Sequence, residues 1–209
     1  MTVEDLEAWV QEFARLVIAD ADHLTALDSA IGDADHGVNL SRGLSTVVKT
    51  LDGEQFEAAD GLFKKVGMVL VSTVGGASGP LYGTFFLRLG AALAGVSAVE
   101  VAEFATAFQA GVDGVAGRGR AAAGDKTMLD ALLPAADALG KHADEGASAA
   151  WGAALAAAEA GRDATRPLVA RKGRASYLGE RSAGHLDPGA ASATLLVAAA
   201  AATLGGDGA

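Results

Sequence analysis

Apolar residues recur at spacings of three and four along nearly the whole chain, which is the pattern of amphipathic α-helices. No alternating apolar and polar run is long enough to predict a strand. The pattern therefore predicts an all-α protein of about eight helices, an antiparallel bundle or barrel. The predicted helices cover about 3–27, 39–51, 56–74, 80–93, 101–112, a helix that starts at 124 and continues through Pro134 with a mild kink, 148–165 and 188–204.

Several helix ends carry local signals. Thr2 with Asp5, and Ser97 with Glu100, have the form of capping boxes. Asp187 and Pro188 have the residue types preferred at the N-cap and at the first helical position. Glycine-rich turns at 75–80 and 114–119 predict breaks between helices, and several such turns can gather at one end of the bundle. We expect that end to be the functional site.

Three carboxylates, Asp28, Asp33 and Asp35, fall within eight positions of one predicted turn. Carboxylates this close repel one another unless a cation lies among them, and Mg²⁺ in proteins takes carboxylates together with substrate phosphates. A calcium loop of the EF-hand type does not fit, because the sixth position counted from Asp33 is Val38 rather than glycine. The alternative is a solvated acidic turn, since Asp and Gly are ordinary turn residues.

Two further stretches suit an anion. The turn at 75–80 leads into a helix, and such turns offer backbone N–H groups to phosphate. The segment 166–181 carries four arginines and a lysine in an otherwise acidic chain, and arginine suits phosphate geometry. A plain helix–helix turn and a solvated loop are the alternatives. Neither a Walker A loop nor a dinucleotide GxGxxG motif is present, since Asp125 separates Gly124 from Lys126.

Composition narrows the class of protein. We expect one domain over residues 1–209, with 51% apolar residues and 5% aromatic ones suiting closely packed helices. A net charge of −10 argues against nucleic acid and anionic membranes as partners. The chain has no cysteine, which excludes disulfides and thiolate chemistry. No signal peptide is recognised and the apolar run at 195–204 is too short for a membrane span, so a cytoplasmic protein is expected.

Four motifs occur in order: GDADHG at 32–37, GGASGPLYGTFF at 75–86, GDKTMLD at 124–130 and RKGRASYLGERSAGHLDPGA at 171–190. Together they resemble the nucleotide-binding L subunit of dihydroxyacetone kinase. The resemblance runs over essentially the whole chain. It implies an antiparallel eight-helix barrel with the nucleotide, ADP or ATP, at one end.

The resemblance also implies roles for individual residues. Asp28, Asp33 and Asp35 would be the catalytic carboxylates, holding two Mg²⁺ ions that bridge the nucleotide phosphates. Met128 would pack against the base and Ser78 would meet phosphate. The implied nucleotide-binding residues are His36, Gly37, Val38, Asn39, Ala77, Ser78, Gly119, Met128, Arg174, Asp187, Pro188 and Gly189.

In the family, the ketose is held on a separate K subunit, and an M subunit of the phosphotransferase system phosphorylates the bound ADP. A phosphoenolpyruvate-dependent kinase subunit is the leading hypothesis. An ATP-dependent ketose kinase subunit, a nucleotide-binding module that docks a regulator, and a relative of the fatty-acid-kinase nucleotide domain are alternatives. A phosphohistidine carrier using His36 or His185 is a further one. The ketose and the oligomeric state, with a homodimer among the options, stay open.

Overall fold

The computed structural model describes residues 1–206, and within them the chain forms nine α-helices and two 3₁₀ segments. One isolated bridge between Thr2 and Ala98 is the sole β-type pairing in that range. The α-helices are α1 Val3–Ala19, α2 Ala21–Ile31, α3 His36–Leu51, α4 Ala59–Thr73, α5 Ser78–Ala92, α6 Val101–Gly119, α7 Leu129–Lys141, α8 Ala147–Ala164 and α9 Pro188–Leu204.

Eight of these helices close a ring. In chain order α3 to α9 each pack against the next, α9 packs against α1, and α1 packs against α3. Short connections join most neighbours, so successive helices run antiparallel. The ninth helix, α2, lies at one end of the ring, against α3, α9 and the 3₁₀ segment Arg174–Ser182. The all-α barrel expected from the sequence is confirmed, with α2 added to its eight helices.

One continuous apolar core fills the ring, and all nine helices contribute to it, with α2 adding only Leu24 and the half-buried Leu27. Trp9 lies at its centre, fully buried, with its ring centroid 5.5 to 5.9 Å from those of Phe63, Phe86 and Phe104. Its indole N–H donates to the Leu196 carbonyl oxygen at 3.0 Å, which satisfies the one polar atom of this side chain. Within residues 1–206, no helix combines the length and apolar character needed to cross a bilayer.

Three expectations about helix limits are wrong. The predicted helix over 3–27 is two helices, because the backbone turns at Asp20, where φ is −102° and ψ is 11°. The helix through Val112 does not break at 114–119 but continues to Gly119, and Gly111 and Gly114 let α6 approach Phe85 and Arg88 of α5 closely. Ser97 forms no capping box, since Glu100 is the N-cap of α6 and no side chain caps it.

Other expectations about helix ends are confirmed. Thr2 and Asp5 form the predicted capping box of α1. Asp187 caps α9 by accepting a hydrogen bond from the Ala190 N–H at 2.7 Å, and Pro188 takes the first helical position. Pro134 lies inside α7, which runs through it. The N-termini of α3, α5 and α9 lie together at one end of the ring.

Candidate nucleotide and metal site

A cavity of about 910 Å³ opens at the end of the ring where α2 lies. Four helices begin at its wall, since the lining includes the first residues of α3, α5, α7 and α9. Helix N-termini carry unpaired N–H groups and the positive end of the helix dipole, so their convergence favours a bound anion.

One wall of the cavity is acidic. Asp28, Asp33 and Asp35 each offer a carboxylate oxygen, and these three oxygens lie within 4.8 Å of one another. Asp28 is buried in α2, and its Oδ2 accepts hydrogen bonds from the backbone N–H groups of Asp35 at 2.9 Å and His36 at 3.2 Å. Asp33 and Asp35 follow in the loop and are more exposed. A set of three convergent carboxylates fits a hard divalent cation such as Mg²⁺.

The loop that carries these carboxylates is sterically tight. A Cβ at Gly32 would overlap Asp28 Oδ1, so only glycine leaves that carboxylate in place. Ala34 adopts a left-handed backbone with φ of 60°, a conformation that costs a residue with a side chain roughly 1 kcal/mol or more. The strained backbone at Ala34 thus accompanies a loop conformation that brings Asp33 and Asp35 beside Asp28.

Another part of the cavity lining is basic. Arg118, Arg171, Lys172 and Arg174 all line the cavity, although the whole chain carries a net charge of −10. Arg174 reaches across to the acidic loop, where its Nη2 lies 2.9 Å from Asp33 Oδ2. Carboxylates that fit a metal and guanidinium groups that line the same cavity together suit a polyphosphate, whose oxygens can contact both the metal and the guanidinium groups.

The connection between α8 and α9, residues 165–187, carries Arg171, Lys172 and Arg174 of this basic lining, and Lys126 holds the connection in place. The Lys126 side chain is 1% exposed, and its ammonium donates to the carbonyl oxygens of Leu168 at 3.1 Å, Ser182 at 2.7 Å and His185 at 2.7 Å. Burial lowers the pKa of Lys126, while the Asp187 carboxylate opposes that shift. Lys126 therefore fixes the basic connection over the cavity.

Behind Ser78 lies a buried row of polar side chains. His36 Nδ1 is 3.0 Å from Ser78 Oγ, and His36 Nε2 is 2.9 Å from Ser192 Oγ. Ser192 Oγ is in turn 2.7 Å from the Tyr82 hydroxyl. Burial lowers the pKa of His36 and raises the pKa of Tyr82, so both side chains are held neutral.

Asp187, at the start of α9, is a buried carboxyl on the cavity wall. Burial raises its pKa from 3.8 to about 7, and the Asp130 and Asp28 carboxylates add to the shift. The hydrogen bond from Ala190 N–H and the charge of Lys126 act in the other direction. Asp187 consequently titrates in the neutral pH range.

Most residues singled out in the sequence line this one cavity: Asp28, Asp33, Asp35, His36, Asn39, Ala77, Ser78, Gly119, Met128, Arg174, Asp187, Pro188 and Gly189. Gly37 and Val38 do not line it. Gly37 packs against the backbone of α2, where a Cβ would overlap the Ala21 carbonyl oxygen, and Val38 is 53% exposed. Arg118, Leu81 and Tyr82 also line the cavity, and sequence reasoning missed them because helical spacing does not show which side chains reach a shared cavity.

A helical barrel with carboxylates and guanidinium groups in one cavity at its end defines a class of phosphate-binding proteins rather than one activity. Comparison with known families specifies the class. Residues 30–202 match the model of the DAK2 domain, and the chain belongs to the DAK2 domain family.

The chain is 43% identical over 191 residues to the ADP-binding subunit DhaL of the PEP-dependent dihydroxyacetone kinase of Escherichia coli K12, covering 90% of this chain and 91% of that subunit. It is 45% identical over 192 residues to the ADP-binding subunit DhaL of PEP-dependent dihydroxyacetone kinase 2 of Listeria innocua, covering 90% and 88%. Both relatives are thus matched over nearly their whole length.

A solved structure agrees with the fold. The dihydroxyacetone kinase of C. freundii in complex with AMP-PNP and Mg²⁺ superposes with a TM-score of 0.71 and 29% sequence identity. The match covers 94% of this chain and 33% of that enzyme, so the chain spans about a third of the larger kinase.

Proposed function

We propose that this chain is the ADP-binding subunit of a phosphoenolpyruvate-dependent dihydroxyacetone kinase. The proposal rests on the convergence of Asp28, Asp33 and Asp35 at a cavity that basic side chains also line, in a chain 43 to 45% identical to two subunits of that name. ADP would stay bound, receive a phosphoryl group from a donor protein and pass it to dihydroxyacetone.

The three aspartates would hold Mg²⁺, with two ions as the family resemblance implies. When bound, the metal neutralises charge on the phosphate oxygens, which phosphoryl transfer needs more than it needs covalent chemistry from the protein. Arg174 and the Ser78 hydroxyl would contact phosphate from the other side. The apolar side chains of Leu81, Val115 and Met128 line the same cavity and suit the flat face of a base.

The surroundings of His36 and His185 disfavour the hypothesis of a phosphohistidine carrier. The His36 ring is buried, and both of its nitrogens already face hydroxyl groups of Ser78 and Ser192 at hydrogen-bond distance. A nucleophilic nitrogen needs a free lone pair directed at the donor phosphate. His185 is exposed but its backbone is tied to Lys126 outside the acidic wall. The nucleotide is therefore the better carrier of the phosphoryl group.

The partners would meet the open end of the ring. Arg171, Lys172 and Arg174 stand at this end with Tyr177, whose side chain is 84% exposed. A cationic rim with an exposed tyrosine suits docking of acidic protein surfaces. A ketose-binding K subunit and a phosphoryl-donor M subunit would use this end in turn, because the nucleotide phosphates are reached only from there.

One specific observation favours a second candidate. The C. freundii kinase with the same fold was solved with AMP-PNP, an analogue of ATP. A subunit that exchanges ADP for ATP would then transfer phosphate without a donor protein. The two mechanisms differ in how long ADP stays bound and in the required phosphoryl source.

Reconstitution tests the proposal. The chain is mixed with a K subunit and dihydroxyacetone, and dihydroxyacetone phosphate is measured with either ATP or phosphoenolpyruvate plus the general phosphotransferase proteins and an M subunit. We expect sustained turnover with phosphoenolpyruvate and little with ATP. Steady turnover on ATP alone would favour the second candidate. Phosphorylation that proceeds equally well without the chain would contradict both.

A further inference from the structure

Four side chains form one buried row behind the cavity. Tyr82 Oη lies 2.7 Å from Ser192 Oγ, which lies 2.9 Å from His36 Nε2, and His36 Nδ1 lies 3.0 Å from Ser78 Oγ. Ser192 Oγ also lies 3.1 Å from the Gly189 carbonyl oxygen, to which it can donate. Tyr82 and Ser192 are 1% and 0% exposed. The row ends at Ser78, a half-buried residue of the cavity lining, and His36 and Tyr82 border the same cavity.

The same heavy-atom positions allow two arrangements of hydrogen atoms. A neutral imidazole carries one N–H, on either Nδ1 or Nε2, and its other nitrogen accepts a hydrogen bond. In the first arrangement Nε2–H donates to Ser192, Ser192 donates to the Gly189 carbonyl and Ser78 donates to Nδ1. In the second, Ser192 donates to Nε2, and Nδ1–H donates to Ser78. In both, the Tyr82 hydroxyl donates to Ser192.

The two arrangements present different chemistry to the cavity. In the first, the hydrogen of Ser78 is used inside the protein and its lone pairs face the cavity. In the second, Ser78 accepts from His36 and its own hydrogen is free for a ligand. An anionic phosphate oxygen accepts hydrogen bonds only, so a phosphate beside Ser78 favours the second arrangement.

We propose that Tyr82 and Ser192 are positioning residues that act through His36 to make the Ser78 hydroxyl a hydrogen-bond donor to the phosphate of a bound nucleotide. The inference rests on the proposed function, since it takes a nucleoside diphosphate as the ligand. In the second arrangement the hydrogen bonds run in one direction, from Tyr82 through Ser192 and His36 to Ser78, and hydrogen bonds in such a row strengthen one another.

Replacement of Tyr82 by phenylalanine removes the first donor of the row and no other atoms. In the first arrangement, Ser192 then still accepts from His36 and donates to Gly189. In the second it accepts from no side chain of the row, so its donation to Nε2 weakens. Tyr82→Phe therefore shifts His36 toward the tautomer in which Ser78 no longer donates to phosphate. We expect ADP to bind roughly tenfold more weakly, the effect of about one hydrogen bond to a charged group.

The experiment combines histidine NMR with ADP titration of the full chain in Mg²⁺ at one fixed pH. Nitrogen-15 shifts of the imidazole ring distinguish the Nδ1–H tautomer, the Nε2–H tautomer and the doubly protonated ring, and a His36→Gln spectrum identifies the His36 signals among the four histidines of the chain. We expect wild-type His36 to move toward Nδ1–H when ADP is added. In Tyr82→Phe it should stay closer to Nε2–H.

A double-mutant cycle separates this role from a general loss of stability. If Tyr82 acts through Ser78, then Ser78→Ala and Tyr82→Phe will weaken ADP binding by less in combination than the product of their separate effects. Thr194→Val is the matched control. It also removes a buried hydroxyl from α9, one that donates to the Ala190 carbonyl at 2.9 Å, and it should leave both the His36 tautomer and ADP affinity unchanged.

Several outcomes would overturn the inference. One is that ADP binds while the His36 tautomer does not change, or while the ring is doubly protonated. Another is that Tyr82→Phe binds ADP with wild-type affinity, and a third is that the effects of Ser78→Ala and Tyr82→Phe multiply independently. Each result would show that Tyr82 and Ser192 take no part in phosphate recognition, and each would leave the proposed function intact. Failure of the wild-type chain to bind ADP with Mg²⁺ would instead defeat the proposed function and this inference together.

Discussion

Arg174 Nη2 lies 2.9 Å from Asp33 Oδ2, which joins the basic connection before α9 to the acidic loop before α3. The two side chains are 69% and 38% exposed, and an ion pair this exposed adds little to the stability of the fold. The ion pair matters because it places the Arg174 guanidinium beside the carboxylates that fit a metal. A phosphate bound between them would meet both.

The first prediction concerns Arg174. Arg174→Ala should weaken ADP binding in Mg²⁺ by about tenfold or more, because a charge-assisted bond to phosphate is lost. The ADP affinity of Arg174→Lys should lie between those of Arg174→Ala and the wild type, since lysine keeps the charge and lacks the planar guanidinium group. Calorimetric titration measures both.

Arg15→Ala is the control, since Arg15 pairs with Glu12 on the exposed face of α1. It should bind ADP like the wild type. Unchanged affinity and transfer rate in Arg174→Ala would mean that the connection is a solvated loop with no part in binding.

The second prediction concerns Lys126. Lys126→Met should lower the free energy of unfolding by about 2 to 4 kcal/mol, because three backbone carbonyls lose a charged donor inside the protein. The connection that they belong to should also loosen, which hydrogen exchange can follow residue by residue. We expect faster exchange at 165–187, and ADP should leave the variant more quickly.

Lys141→Met gives the comparison, because Lys141 makes an exposed pair with Asp137 at 2.7 Å. Its stability should change by less than about 0.5 kcal/mol. If exchange in 165–187 is the same in Lys126→Met as in the wild type, Lys126 does not hold the connection.

The third prediction concerns Gly32. Gly32→Ala should abolish most Mg²⁺-dependent ADP binding, because the added Cβ would overlap Asp28 Oδ1 and displace that carboxylate. Gly152→Ala is a matched change in α8, where a Cβ meets nothing within 4 Å, and it should raise stability by up to about 1 kcal/mol. Magnesium-dependent ADP binding by Gly32→Ala at wild-type strength would separate Asp28 from the site.

The fourth prediction follows from the pKa of Asp187, raised from 3.8 to about 7 chiefly by burial. Between these values the folded chain holds a proton that the unfolded chain has lost. This protonation therefore contributes stability that is fully present below 3.8 and is lost as the pH rises through about 7.

Asp187→Asn removes this titration and keeps an oxygen that can cap α9. Without nucleotide, the variant should gain stability relative to the wild type as the pH rises, by at most about 1.4 kcal/mol per pH unit. Urea unfolding at about pH 5 and about pH 8 measures the difference. A difference in unfolding free energy that is the same at both pH values would show that Asp187 stays ionised when buried.

Sequence periodicity was enough for the barrel, because a ring of eight helices needs one apolar face on each. It was not enough for the turn at Asp20, since Leu16 and Leu24 keep helical spacing across it and both pack inward. The direction of α2 is set by tertiary contact, where Gly37 lets α3 approach the Ala21 carbonyl. A contact of this kind between two helices does not change the local spacing of apolar residues, so the sequence pattern does not show it.

Some residues of the site could also be predicted from the sequence, and others could not. The cluster of Asp28, Asp33 and Asp35 could be predicted because the three are neighbours in sequence and their shared negative charge favours a cation. Lys126 was not found, because its partners lie 42 to 59 residues away and are backbone carbonyls, which every residue has. The row from Tyr82 to Ser78 depends on Ser192, which is 156 residues from His36.

We propose that Asp28, Asp33 and Asp35 hold a magnesium-bound nucleotide at the open end of the barrel. A mass spectrum of the undenatured chain, taken with Mg²⁺ and ADP, tests it most directly, with Asp33→Asn and Asp35→Asn beside the wild type and Asp137→Asn as a surface control. We predict one ADP with Mg²⁺ on each wild-type and Asp137→Asn chain and none on the other two. Equal ADP and Mg²⁺ on all four chains, or none on the wild type, would contradict the account.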